Sequence, residues 1–153
     1  MAEDAHIVDR LAIHAVLIAY AEAIDSRDWE SLKKCFTASG ATDFGPYGGR
    51  NQGPDTIVAT CRAGVGHLDA THHVITNLVI EFIDDDRAHV RSYLTAQHVR
   101  RGLTSGELFT VGGHYEDRVV RTDAGWQLES KVLRVTWTGG NSGVFADSPS
   151  VSI

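Results

Sequence analysis

The stretch HHVITNLVIEFIDDDRAHVRSYLTAQHV, residues 72–99, decides what kind of domain this chain builds. Residues 72–83 are rich in β-branched side chains and run into Asp84-Asp85-Asp86, whose short polar side chains favour a turn. Residues 88–99 then alternate: Ala88, Val90, Leu94, Ala96 and His98 share one parity, and Arg87, His89, Arg91 and Gln97 share the other. Successive strand side chains point to opposite faces, so this segment predicts two long antiparallel strands with one face in a core and one in water. Toward the C-terminus the alternation predicts a third strand over 108–121, with Phe109, Val111, Tyr115 and Val119 inward and His114 outward. Thr122-Asp123-Ala124-Gly125 reads as a hairpin turn into a last strand over 126–137. Four long strands joined by short turns predict an antiparallel meander.

Toward the N-terminus the period changes. Over 4–24, Ile7, Leu11, Val16, Leu17, Tyr20, Ala21 and Ile24 recur at steps of three and four, which predicts an amphipathic helix capped by Asp4. Asp28 is placed to cap a short second helix over 29–36. Glycines and Pro46 then break the pattern, leaving short strands over 41–44 and 49–52. Pro54 opens a third helix to residue 63, because its missing N–H would have no intrahelical partner there. Helices first and strands after predict an α+β domain. Its expected form is a cone-shaped α+β barrel, three N-terminal helices on a strongly curved, mainly antiparallel sheet. A cavity within such a cone suits a small, largely apolar ligand.

Composition narrows the classes. At 153 residues the chain is expected to be one domain, 1–153, with a core large enough to enclose a cavity. A 42% hydrophobic and 22% charged composition excludes disordered and fibrous classes. Fourteen Lys+Arg against twenty Asp+Glu leave a charge of −6, which repels a phosphate backbone and argues against a nucleic-acid partner. No apolar run reaches the roughly 18 residues of a membrane span, and the acidic start lacks the basic and apolar blocks of a secretion signal. The expected location is therefore cytoplasmic. Cys35 and Cys61 have no C-x-x-C partner, so neither a disulfide frame nor a structural zinc is expected. Tyr93 and Val99 on the outer face of the sheet predict a homo-oligomer. Residues 139–153 carry Gly, Ser, Asn and Pro with Val144 and Phe145 as a bulky apolar pair, and are expected to cover the cavity mouth with Phe145 as a plug.

A few residues in this frame carry chemistry. Asp25 lies one position beyond the apolar stripe of the first helix, at the negative end of the helix dipole, where an acid is mildly unfavourable. His72 and His73 open the first long strand, and only one of two adjacent strand residues can enter an enclosed space. Val74, Thr76, Leu78, Ile80 and Phe82 share the parity of His72, whereas Ile75, Asn77, Val79 and Ile83 share that of His73, so periodicity does not choose between them. With His67 they match no common metal-ligand spacing, and no metal is expected. His98 has inward parity; Tyr20 sits on the apolar helix stripe; Tyr47 lies in a Gly/Pro-rich segment; Arg134 shares the parity of Leu128 and Val132. A buried Arg134 would need an anionic partner.

Three segments, YAEAID at 20–25, THHVITNLVIEF at 71–82 and GGHYED at 112–117, resemble the SnoaL-like branch of the nuclear transport factor two-like superfamily. The resemblance runs over nearly the whole chain to Trp137. It is strongest to the small dehydratases and dehydrochlorinases, such as scytalone dehydratase, the bile-acid dehydratase and the hexachlorocyclohexane dehydrochlorinase. It implies a dyad of Asp25 and His73, with Tyr20 as the accompanying tyrosine. Tyr47 stands as the candidate second substrate tyrosine, and Lys131 or Arg134 as the basic residue of the last strand. The expected activity is a cofactor-independent lyase that removes water, or another small leaving group, from a small hydrophobic cyclic substrate. His73 would be the base, Asp25 its orienter and Tyr20 a hydrogen-bond donor, with Tyr47, His98, Arg134 and Phe145 around the substrate. No cofactor is implied, and a trimer is favoured over a dimer. The alternatives are an isomerase or polyketide-type cyclase using the same dyad, and a non-catalytic small-ligand-binding module.

Overall fold

The computed structural model describes residues 6–146. Its elements run α1 (Ile7–Ser26), α2 (Trp29–Lys34), β1 (Phe36–Asp43), a helical turn at Gly45–Tyr47, β2 (Arg50–Gln52) and α3 (Pro54–Val65). Four long strands follow, β3 (Ala70–Asp84), β4 (Arg87–Val99), β5 (Leu108–Thr122) and β6 (Gly125–Gly140), and then a helical turn at Ser142–Phe145. The long strands form the expected antiparallel meander, and β1 joins β6 in parallel to give one six-stranded sheet in the order β2-β1-β6-β5-β4-β3. Three helices pack on this curved sheet, an α+β fold whose sheet stays open, with β2 and β3 as its edges.

The second helix is shorter than expected. Asp28 caps it by accepting the Ser31 N–H at 3.0 Å, but it stops at Lys34, and Phe36 begins β1 opposite Leu128. Phe36 is buried there edge-on to Tyr20, and that burial outweighs one more residue of helix. In α1 the buried stripe is Ile13, Leu17, Tyr20, Ala21 and Ile24, while Ile7 and Leu11, expected inside, are exposed, because the first turns meet the sheet through His6 stacked on Phe82, Asp9 on Trp126 and Arg10 on the Ile80 carbonyl. Asp4, the expected cap, lies outside the described residues. No described helix is long and apolar enough to cross a membrane.

Two bulges re-aim side chains. In β3, Asn77 adopts φ 54°, and Asn77 with Leu78 oppose Ser92 alone. Before the bulge Thr71 and Ile75 are buried and His73 is partly covered; beyond it Leu78, Ile80 and Phe82 turn toward the core instead. In β6, Glu129 is the extra residue between the Ser130–Arg118 and Leu128–Val119 pairs. Leu128 therefore faces inward and so does Lys131, three positions on, which strict alternation forbids. A third irregularity lies where Gly113 meets Val135: a Cβ at Gly113 would sit 2.1 Å from the Arg134 carbonyl oxygen, so only glycine fits that approach.

Candidate active site

The last turn of α1 delivers Asp25 beneath the start of β3, where Thr71 and His73 share the inner parity and His72 is exposed. The carboxylate is fully engaged. Oδ1 accepts from His73 Nδ1–H at 2.7 Å and from the Thr71 hydroxyl at 2.9 Å, and Oδ2 accepts the His73 backbone N–H at 2.8 Å. An ionised carboxylate only accepts, so the His73 proton sits on Nδ1 and the lone pair on Nε2. Burial pushes the Asp25 carboxyl upward, but the hydrogen bonds from His73, the charge that ring carries when protonated and the Thr71 hydroxyl outweigh it and hold Asp25 below the usual carboxylate range. Arg27, in the left-handed position that ends α1, reaches back to the Thr71 hydroxyl oxygen at 2.7 Å.

His73 opens onto a cavity of about 570 Å³, counted out to its mouth, between the helices and the concave sheet. Ile24, Val65, Leu94, Ala96, Val111 and Leu133 make its walls apolar. Into it project Tyr20 from α1, Tyr47 from the turn before β2, His98 from β4 and Tyr115 from β5. His98 is buried, its ring edge-on to His73 with centroids 5.9 Å apart, and Nδ1–H donates to the Phe109 carbonyl at 3.2 Å. Burial, aided by the neighbouring His73, pushes the His98 pKa down to about 4. At neutral pH His98 is therefore uncharged and offers Nε2 as an acceptor. Tyr20 and Tyr115 meet edge-on at 6.0 Å, and burial raises both phenols, so each stays an O–H donor. Burial likewise pushes the Cys61 thiol up to about 12, which removes it as a thiolate nucleophile.

The chain returns over this cavity after β6. Asn141 caps the turn Ser142–Phe145 by accepting the Gly143 N–H at 3.0 Å, and Arg100 donates to the Ala146 carbonyl at 2.6 Å. Phe145 is thereby held 4.8 Å from the His98 ring, 5.5 Å from Phe109 and 5.7 Å from Tyr47. The rest of the expected cover, 147–153, lies outside the described residues.

Arg134 does not reach the cavity. It is exposed on the outer face and donates to Glu116 Oε2 at 3.1 Å, because the Glu129 bulge inverts the parity that aligned it with Leu128. Lys131 turns inward instead, fully buried, with Nζ 2.7 Å from Asp117 Oδ2 and 3.7 Å from the centre of the Tyr115 ring. It sits behind the Tyr20 and Tyr115 phenols rather than in the cavity wall. Burial pushes Asp117 up and Lys131 down, each toward its neutral form. Among the described residues no three His, Cys, Asp or Glu side chains are grouped as a metal would require.

Sequence reasoning thus brings Asp25, His73, Tyr20, Tyr47, His98 and Phe145 to one place and misplaces Arg134. It missed three residues. Thr71 shares the parity of His73, a signal that was present. Tyr115 has inward parity in β5, but nothing in its sequence neighbourhood assigns it a role. Arg27 gave one indirect signal: a long side chain at the residue ending a helix, where glycine is commonest.

The SnoaL-like domain model matches residues 5–132. A terrestric acid biosynthesis cluster protein of Penicillium crustosum is 29% identical, with 90% of this chain and 89% of that one covered. A provisionally assigned scytalone dehydratase of Novosphingobium aromaticivorans superposes with a TM-score of 0.82 at 26% identity, covering 91% of each chain. A hexachlorocyclohexane dehydrochlorinase superposes with a TM-score of 0.79 over 97% of this chain and 99% of its own. At 16% identity that last likeness concerns the fold alone.

Proposed function

The chain belongs to the SnoaL-like domain family, and from that membership we propose that it is a cofactor-independent lyase eliminating water, or a similar small group, from a small hydrophobic cyclic molecule. One observation carries the reading: the 2.7 Å contact of Asp25 with His73 Nδ1, which leaves Nε2 as a base beside an apolar cavity. Nε2 takes a proton from a substrate carbon next to an activating group, and the imidazolium so formed is steadied by Asp25, whose charge is poorly screened there. Tyr20 or Tyr115 donates to the oxygen that gains charge, and the imidazolium returns its proton to the leaving hydroxyl, so the base ends neutral as water departs. Tyr47, His98 and Phe145 enclose the ring of the substrate. Partly exposed Val74, Val79 and Tyr93 on the outer sheet favour self-association, a trimer before a dimer, which sedimentation would report.

The test is a panel of cyclic β-hydroxy carbonyl compounds followed by mass spectrometry. Dehydration removes the mass of one water, whereas an isomerase conserves mass. The wild-type protein is expected to turn over at least one compound and His73→Ala to lose that turnover. Binding without turnover, unchanged in the variant, would reduce the protein to a ligand-binding module.

A further inference from the structure

The dyad does not stand alone at the end of α1. Arg27 holds φ 62°, a left-handed conformation that costs a non-glycine residue about 1 kcal/mol or more and that glycine adopts freely. Its side chain offers a reason for the choice. Nη1 donates to the Ile24 carbonyl at 2.7 Å and the Thr71 hydroxyl oxygen at 2.7 Å, more distantly to the Asp25 carbonyl at 3.3 Å, while Nη2 donates to the Leu68 carbonyl at 3.3 Å. Guanidinium has no acceptor, so Thr71 must receive from Arg27, and its single hydroxyl proton is left for Asp25 Oδ1 at 2.9 Å.

We propose that Arg27 and Thr71 are positioning residues: Arg27 aims the Thr71 hydroxyl at Asp25, and that hydrogen bond fixes the carboxylate that holds His73. The proposal rests on the dyad reading given above. Interposing Thr71 has a chemical purpose. A guanidinium bound directly to Asp25 would compete with His73 for the carboxylate and draw off the negative charge that must steady the imidazolium. One hydroxyl away, the cation directs a proton without taking the acceptor. Besides Arg27, the ionisable groups around Asp25 are His73 from β3, His98 from β4 and Tyr115 from β5.

The experiment follows the Asp25 carboxyl by carbon-13 NMR across pH in the full chain, in wild type, Thr71→Val, Thr71→Ser and Arg27→Gly. Thr71→Val exchanges the hydroxyl for a methyl of similar size, and Arg27→Gly keeps a residue suited to the left-handed turn. Both are expected to move the Asp25 midpoint upward, Thr71→Val by about one pH unit, the scale of one lost hydrogen bond to a charged group. Thr71→Ser is expected to keep the wild-type midpoint. With a substrate in hand, Thr71→Val should lower kcat about fivefold to tenfold at constant KM, and Thr71→Ser should restore it, a split that general loss of packing would not give. An unmoved Asp25 midpoint in folded Thr71→Val, or equal losses in Val and Ser, overturns the relay. The dyad is judged separately: full turnover in His73→Ala ends that reading, whereas the relay is decided by the Asp25 titration and by the comparison of the Val and Ser variants.

Discussion

Two acid–base pairs lie in this molecule at the same distance, 2.7 Å, in opposite surroundings. At the end of α1, Asp25 accepts three hydrogen bonds, keeps some contact with solvent, and pairs with a histidine whose second nitrogen is free beside the cavity. Between β5 and β6, Asp117 meets Lys131 with neither side chain exposed, and its Oδ1 and the nearby Ser92 hydroxyl have no partner among the described residues. Burial opposes both charges there, and the ammonium is spent against the faces of two tyrosines. Contact distance therefore says little. The two pairs differ in how many donors stabilise the acid and in whether its partner retains a nitrogen facing open space, and on the lyase reading proposed above that difference separates a reactive pair from a structural one.

The largest expected effect tests the first pair. His73→Ala or Asp25→Asn should lower turnover by about 10²–10⁴, the range for a positioned base, with the unfolding transition little changed. The second pair should answer in the opposite way. Lys131→Ala leaves a buried, uncompensated Asp117 and should cost about 3–5 kcal/mol of stability, read from urea unfolding. Replacing both at once, Lys131→Met with Asp117→Leu, should recover most of that loss, because the desolvation cost of two charges vanishes with them. If folded Lys131→Ala kept its stability and lost turnover by 10³ or so, the division between the pairs would fall.

How far the sequence carries a reader follows from where the chain keeps its period. β4 alternates without interruption, and His98 stands where its parity puts it. The helices-then-strands order gave the α+β fold, while the parallel joining of β1 to β6 left no local signal, since it pairs residues about ninety positions apart. β3 and β6 each slip register in two places, and the slips that re-aim side chains toward the core are at Asn77 and Glu129. Asn, tolerant of the left-handed region, is a readable hint of the first bulge; Glu129 gives no such hint, and Arg134 was misplaced for that reason. Asp25 and His73 lie forty-eight positions apart, so their meeting came from family resemblance, and only the coordinates brought Thr71 and Arg27 to them.

A smaller effect belongs to His98, which sharpens the contrast because its ring is buried on a backbone carbonyl, that of Phe109, rather than on a carboxylate. Its pKa falls from 6.5 to about 4 on folding. Between these values the unfolded chain takes up the proton and the folded one refuses it, so stability rises with pH through the window. The contribution is complete above pH 6.5 and lost as pH falls through 4, about 3 kcal/mol from this one ring. Urea unfolding at pH 7 and pH 4 should show a smaller acid loss in His98→Gln than in wild type. An equal loss in the two would mean that His98 is charged, or solvated, in the folded protein.

The smallest effect is expected three residues beyond Lys131, and it tests the bulge that separates the two cations. Arg134 and Glu116 are each about half exposed, with side-chain exposures of 56% and 49%, so water screens their attraction and ordering two long side chains offsets much of what remains. Arg134→Ala should change stability by about 0.5 kcal/mol or less, a difference that shrinks further in concentrated salt. Turnover should not change, since the guanidinium lies across the sheet from His73 and lines no part of its cavity. Lys131→Ala and Arg134→Ala thus remove one positive charge each from the same strand and should differ in stability by several kcal/mol, because Glu129 sends one side chain inward and the other out. A fall in turnover in Arg134→Ala at unchanged stability would place that cation at the substrate, and the extra residue at Glu129 would then be absent from the protein in solution.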